Sequence, residues 1–85
     1  MTEDSLVLYY REGCHLCEEM AALLFRGWPH LAERLSWRDV DSDAQWRERY
    51  GLKVPVLCLN DETICEYFAD IERLSARFGA PANPL

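Results

Sequence analysis

Hydrophobic and polar positions fall into short blocks along this chain, and the period of each block names an element. Ser5-Leu6-Val7-Leu8-Tyr9-Tyr10, bounded by Arg11-Glu12-Gly13, is a short apolar run rich in strand formers, the pattern of a buried strand. From Cys14 onward, Leu16, Cys17, Met20, Ala21, Leu23, Leu24 and Phe25 recur at helical spacing until Gly27 and Pro29 stop the helix. Residues 31–34 continue as a helical turn, and residues 35–40 alternate with period two, as a half-buried strand does. Ser42-Asp43-Ala44-Gln45 reads as a capping box with Ser42 as the cap. The helix behind it stacks Trp46 four residues from Tyr50 and stops at Gly51. Residues 54–59 and 63–66 are strand-like runs joined by Asn60-Asp61-Glu62, a hairpin. Asp70 then offers a cap for a last helix whose apolar face is Ile71, Leu74 and Phe78 and which ends at Gly79. The predicted order is β-α-β-α-β-β-α. Right-handed parallel crossovers put the first strand beside the second and third, with the last strand antiparallel at an edge.

Eighty-five residues suffice for one domain, assigned here to residues 1–79 with a flexible tail at 80–85. Hydrophobic residues at 49% and charged residues at 28% describe a globular chain rather than a disordered one. A net charge of -6 with no basic run argues against nucleic acid. The longest apolar stretch, residues 52–59, is broken by Lys53 and Pro55 and falls far short of the roughly 20 residues of a bilayer span. Met1-Thr2-Glu3-Asp4 is acidic where a secretory signal is basic, so the expectation is a cytoplasmic monomer without membrane contact. Four cysteines are too few for a disulfide scaffold, and in a cytoplasmic chain a close pair signals redox or metal chemistry.

That pair is Cys14-His15-Leu16-Cys17, at the junction of a strand and a helix. Residues three apart on a helix share a face, so the two Cβ atoms can reach the roughly 3.5–4.5 Å that a disulfide needs. Cys14 meets the unpaired N–H groups and positive dipole end of the helix, which lower a thiol pKa from about 8.5, and is the expected nucleophile. Cys17, inside the first turn beneath apolar neighbours, is the expected resolving thiol. Arg11 and His15 flank the pair and are candidates for tuning the Cys14 pKa, Arg11 above all because it is always charged. Both read equally well as solvated surface residues. Spacing alone also leaves open metal ligation and chance placement of two core residues. A zinc site needs about four ligands, whereas Cys58 and Cys65 stand seven apart and His30 is isolated, so no metal is expected. Cys58 and Cys65 read as packing residues. They face each other if the hairpin turn centres on Asp61-Glu62 and fall on different pairs if it shifts by one.

Tyr9-Tyr10-Arg11-Glu12-Gly13-Cys14-His15-Leu16-Cys17 resembles the active-site turn of glutaredoxins and thioredoxins, and Tyr50-Gly51-Leu52-Lys53-Val54-Pro55 resembles that family's approach to its cis-proline. The likeness covers about residues 5–79 and is strongest to a small glutaredoxin-like group, whose second strand residues 37–41 resemble. It implies an α/β thioredoxin-like fold, a four-stranded mixed sheet with helices on both faces. It also implies a cis Val54-Pro55 bond facing Cys14, with the Val54 backbone offered to an incoming peptide or to glutathione. A trans proline opening an edge strand is the alternative. Glutaredoxins carry Thr before the Val-Pro pair and Gly-Gly ahead of the last helix; here those places hold Lys53 and Tyr67-Phe68. Asp70 resembles the acidic residue that contacts the glutathione amino group, and a plain helix cap explains it equally well. Lys53, Val54, Pro55 and Asp70 are therefore the candidate substrate-binding residues. No bound cofactor is expected, glutathione is a weak co-substrate, and the partner is a protein disulfide or a glutathione-type thiol. The expected function is thiol–disulfide oxidoreduction through Cys14 and Cys17. The rivals are a redox-inactive thioredoxin-fold binding module and a metal or iron–sulfur protein that pools these cysteines from two chains.

Overall fold

β1 (Leu6–Tyr10) carries apolar side chains on both faces, which only an inner strand covered from two sides can bury. In the computed structural model, which describes residues 5–85, β1 lies inside a four-stranded sheet of order β2 (Ser36–Asp39), β1, β3 (Val56–Leu59), β4 (Glu62–Glu66). The acidic opening, residues 1–4, read above as lacking an export signal, lies outside the described residues. β2 runs parallel to β1 with Trp37 opposite Leu8, and β3 runs antiparallel with Leu57 opposite Leu8. The neighbours of β1 are those expected, but β3 enters by no parallel crossover. The helix between β2 and β3, α3 (Ala44–Tyr50), has seven residues and spans about 10 Å, and the chain re-enters the sheet at the end it left.

Helices cover both faces, as expected. On one, Leu6, Leu8, Leu57 and Leu59 pack against Met20 and Leu24 of α1 (His15–Gly27) and Leu74 of α4 (Ile71–Phe78). The helical turn after α1 is α2 (Pro29–Glu33), and the Trp28 indole before it donates to the Gly79 carbonyl at 2.8 Å, joining the ends of α1 and α4. On the other face Val7, Tyr9, Val56 and Cys58 meet Val40 and Tyr50. Tyr9 stacks on Tyr50 at 4.0 Å and meets Trp46 edge-on at 5.9 Å. Arg38 donates to the Tyr9 hydroxyl at 3.0 Å and lies over the Trp46 ring.

Several local expectations change. β2 is a short edge strand, with Leu35 and Val40 buried beyond its ends and Ser36 and Trp37 exposed. Burial of Val40 draws residues 40–42 into a 3-10 turn, in which Ser42 Oγ donates to the Asp39 carbonyl at 2.6 Å. The cap of α3 therefore passes to the extended Asp43, whose Oδ1 accepts from Gln45 and Trp46 at 2.8 and 3.1 Å. Gly51 ends α3 with a right-handed φ of -56°, so it is no left-handed stop; a Cβ there would run into the Arg47 carbonyl. The hairpin turns on Asn60 and Asp61, both at positive φ, and β4 starts at Glu62. A bulge between Leu57 and Cys58 pairs Cys65 with Leu57 and Cys58 with Thr63. The two thiols thus sit on opposite faces of the sheet. Asp70 caps α4 as expected, but Ile71 is 42% exposed, and the inward face is Leu74 with the half-buried Phe78. In the C-terminal segment, Ala82 N–H and Asn83 Nδ2 donate to the carbonyls of Gly27 and Arg26 at the end of α1. Among the described residues no helix is long and apolar enough to cross a membrane.

Leu74→Ala is expected to lower stability by about 2–5 kcal/mol, because a fully buried side chain leaves a cavity. Urea unfolding of the oxidised protein would register this as a lower midpoint at unchanged slope. Burial raises the Tyr50 phenol from 10.0 to about 12. The unfolded chain then loses this proton first, so the contribution is full below pH 10 and falls away as pH rises toward 12. Thermal melts across that window should show a falling midpoint, with a shallower fall in Tyr50→Phe.

Candidate active site

β1 ends at Tyr10, and the turn that follows reverses at Gly13, whose φ of 73° suits glycine. Cys14 N–H donates back to the Arg11 carbonyl at 3.2 Å, which closes the turn and leaves Cys14 as the extended N-cap of α1. The helix proper starts one residue later than the cysteine, at His15. Cys14 Sγ accepts the Cys17 N–H at 3.1 Å, the contact an N-cap oxygen makes elsewhere. Cys14 and Cys17 are joined by a disulfide, with Cα atoms 5.2 Å apart. Their environments differ: Cys17 is 3% exposed, whereas Cys14 is half-buried at the surface.

Both flanking residues, Arg11 and His15, have carboxylates beside them. Arg11 Nε and Nη2 donate to the two Asp41 oxygens at 2.9 and 3.2 Å, and Nη1 donates to the Gly51 carbonyl at 3.1 Å. This contact holds Asp41 below the usual carboxylate range and raises Arg11 further. Arg11 is thereby a clamp between the cysteine turn, the 3-10 turn and the end of α3. His15 is 82% exposed, with Glu19 at 3.5 Å and Glu18 at 3.9 Å. Nothing in the local sequence marked Asp41 or Gly51, which stand 30 and 40 residues from Arg11.

The Val54-Pro55 bond is cis. The register that pairs Val56 with Tyr9 carries Pro55 and Val54 to the end of the sheet where β1 delivers Arg11. Tyr67 N–H donates to the carbonyls on either side, Lys53 at 3.3 Å and Pro55 at 2.9 Å, and Val54 has no backbone partner among the described residues. Tyr67 adopts a φ of 68°, the left-handed region that favours glycine, and with Phe68 it stands exposed. Leu16, from between the cysteines, lines a groove with these two rings and Glu19. Lys53 Nζ lies 3.8 Å from Glu66, and Asp70 accepts from Arg73 N–H at 3.1 Å while its own N–H donates to Cys65 Sγ. Among the described residues no three His, Cys, Asp or Glu side chains are grouped to hold a metal ion.

Cys58 and Cys65 are buried, and burial pushes both thiols up. In the oxidised protein at neutral pH, a thiol-reactive chromophore is expected to find neither, and to titrate both of these free cysteines once guanidinium unfolds the chain.

Residues 5–79 match the family described as glutaredoxin-like domain (DUF836). Among solved structures, protein Ne2328 from Nitrosomonas europaea is 35% identical, with 91% of this chain and 93% of that one covered at a TM-score of 0.69. Protein XcR50 from X. campestris is 31% identical, with 86% and 93% covered at a TM-score of 0.64. A protein of unknown function from Staphylococcus aureus, SA0789, shares the fold at 17% identity, with 91% and 89% covered and a TM-score of 0.59. No curated protein matches the chain. The family match runs from the start of β1 to the end of α4, around a Cys-x-x-Cys disulfide on the first helix and a cis-proline before β3; this chain belongs to the glutaredoxin-like domain family.

Proposed function

We propose that the protein is a thiol–disulfide oxidoreductase in which Cys14 is the nucleophile and Cys17 the resolving thiol. The observation that carries this reading is the asymmetry of the pair: Cys14 Sγ sits at the N-terminus of α1 and accepts a backbone N–H, while Cys17 is sealed beneath it. A helix N-terminus acts as about half a positive charge, which favours thiolate over thiol at Cys14. With Arg11 held by Asp41 and His15 82% exposed, the helix terminus supplies most of that stabilisation.

In the reduced protein the Cys14 thiolate attacks one sulfur of a substrate disulfide. The substrate S–S bond breaks, the departing thiolate takes a proton from solvent, and a mixed disulfide forms on Cys14. Cys17 then gives its proton to solvent and attacks Cys14 Sγ, releasing the second substrate thiol and closing the internal disulfide. Two electrons pass from protein to substrate, and a protein dithiol or glutathione-type thiol returns them. The open N–H and C=O of Val54 suit a substrate segment that adds as a short strand.

Glutathione fits this site poorly. The positive-φ position that would suit glycine holds Tyr67, whose N–H is already shared by two carbonyls, and Lys53 is drawn toward Glu66. Asp70 accepts from its own helix, leaving one oxygen for a ligand amine. We assign glutathione the part of a weak co-substrate, with a protein disulfide as the main partner of a cytoplasmic monomer.

Brief iodoacetamide labelling of the reduced protein should modify Cys14 at least about ten times faster than Cys17, followed by mass spectrometry. Cys17→Ser should accumulate a stable mixed disulfide on Cys14 with 2-hydroxyethyl disulfide, whereas the parent protein proceeds to the internal disulfide. Equal labelling of the two cysteines, with no adduct in the variant, would overturn the assignment.

A further inference from the structure

A second groove runs on the opposite side of the cysteine pair from Tyr67 and Phe68. It has a volume of about 360 Å³, lies between the start of α1, the end of β1 and Trp37 of β2, and includes both cysteines in its wall. Its far side is aromatic: the rings of Tyr10 and Trp37 meet edge-on at 5.7 Å, and Trp37 stays 46% exposed on an edge strand. Its flanks carry two exposed carboxylates, Glu12 and Glu18. Glu12 has no hydrogen-bond or ion-pair partner among the described residues, and Glu18 has only the exposed His15 at 3.9 Å. Arg11 also lines the groove, but its guanidinium is held by both oxygens of Asp41 and by the Gly51 carbonyl. Asp39, opposite Tyr10 in the β2 register, adds a further negative charge nearby.

Ring faces attract a cation through their quadrupole, and exposed carboxylates attract it by charge. A groove with both features beside a reactive sulfur selects substrates by what flanks their disulfide. Resting on the oxidoreductase reading above, we propose that this groove receives a Lys or Arg side chain adjacent to the substrate cysteine, so that the protein prefers disulfides in basic segments. The net charge of -6 steers such segments in the same sense at long range. The groove of Leu16, Tyr67 and Phe68 on the other side also has exposed rings, but it holds one carboxylate, Glu19, which lies 3.5 Å from His15.

Three small disulfides of different charge test this without a protein substrate: cystamine (dication), 2-hydroxyethyl disulfide (neutral) and 3,3′-dithiodipropionate (dianion). Each rate with the reduced protein is divided by the rate with dithiothreitol to remove intrinsic reactivity. The expected ranking is dication, neutral, dianion, with about a five- to tenfold first step at low salt that shrinks toward unity near 0.5 M NaCl. Glu12→Gln with Glu18→Gln should bring cystamine down to the neutral rate, and Trp37→Leu should lower the cystamine preference about threefold. Glu33→Gln with Glu48→Gln removes the same charge far from the groove and should keep most of the preference. If cystamine and the neutral disulfide react equally fast, or if the distant pair abolishes the preference as fully as the groove pair, the cation site is overturned while the redox reading stands. If none of the three disulfides oxidises the protein, it is the redox reading that fails.

Discussion

The site depends on where β1 ends and which way β3 runs. β1 is sealed on both faces, so the turn after Tyr10 starts from a fixed point. β3 lies antiparallel beside it, which brings the chain just before β3 to the carboxyl end of β1. The cysteine turn and the cis-proline segment, some forty residues apart, thereby share one end of one sheet. A parallel β3 would have carried Val54 and Pro55 to the opposite end. The short α3, returning the chain to the end from which it left, is what makes the arrangement possible.

A polar clamp reinforces that geometry. Arg11 leaves the end of β1, takes both oxygens of Asp41 in the 3-10 turn, and reaches the Gly51 carbonyl at the end of α3. Bidentate pairing fixes direction as well as distance, so a planar guanidinium suits this junction better than an ammonium would. The exposed ion pair contributes little to stability by itself. Its consequence is positional: the turn that presents Cys14 is fastened to the loop that leads to Val54. The same contact removes Arg11 as an open charge beside the sulfur.

Around this anchored disulfide the surface is divided by chemistry. One side sets Leu16, Tyr67 and Phe68 beside a single carboxylate, Glu19; the other sets Tyr10 and Trp37 beside Glu12 and Glu18. The core beneath is equally sorted, and the bulge in β4 does part of that sorting. It lets Ile64 and Cys65 both turn toward α1 and α4, while Cys58 remains under Tyr50. The two spare thiols are kept apart from each other and from the surface, so among the described residues Cys14 is the cysteine presented to solvent.

The sequence by itself determined what depends on near neighbours. The apolar run at residues 5–10, the helical period after Cys14 and the Asp70 cap each rest on spacing within one or two turns, and each is found. The cysteine pair was legible for the same reason, since three residues along a helix start suffice to set two sulfurs together. Tertiary structure decided whatever required knowledge of a distant partner. Ser42 and Asp43 are both good caps, and burial of Val40 chose between them. Cys58 and Cys65 look like partners across a hairpin until one bulge residue turns them to opposite faces. Arg11 reads as a free cation beside Cys14 because Asp41 and Gly51 are remote in sequence. The direction of β3 belongs to this second group: local propensity makes a strand, but only packing against β1 sets which way it runs.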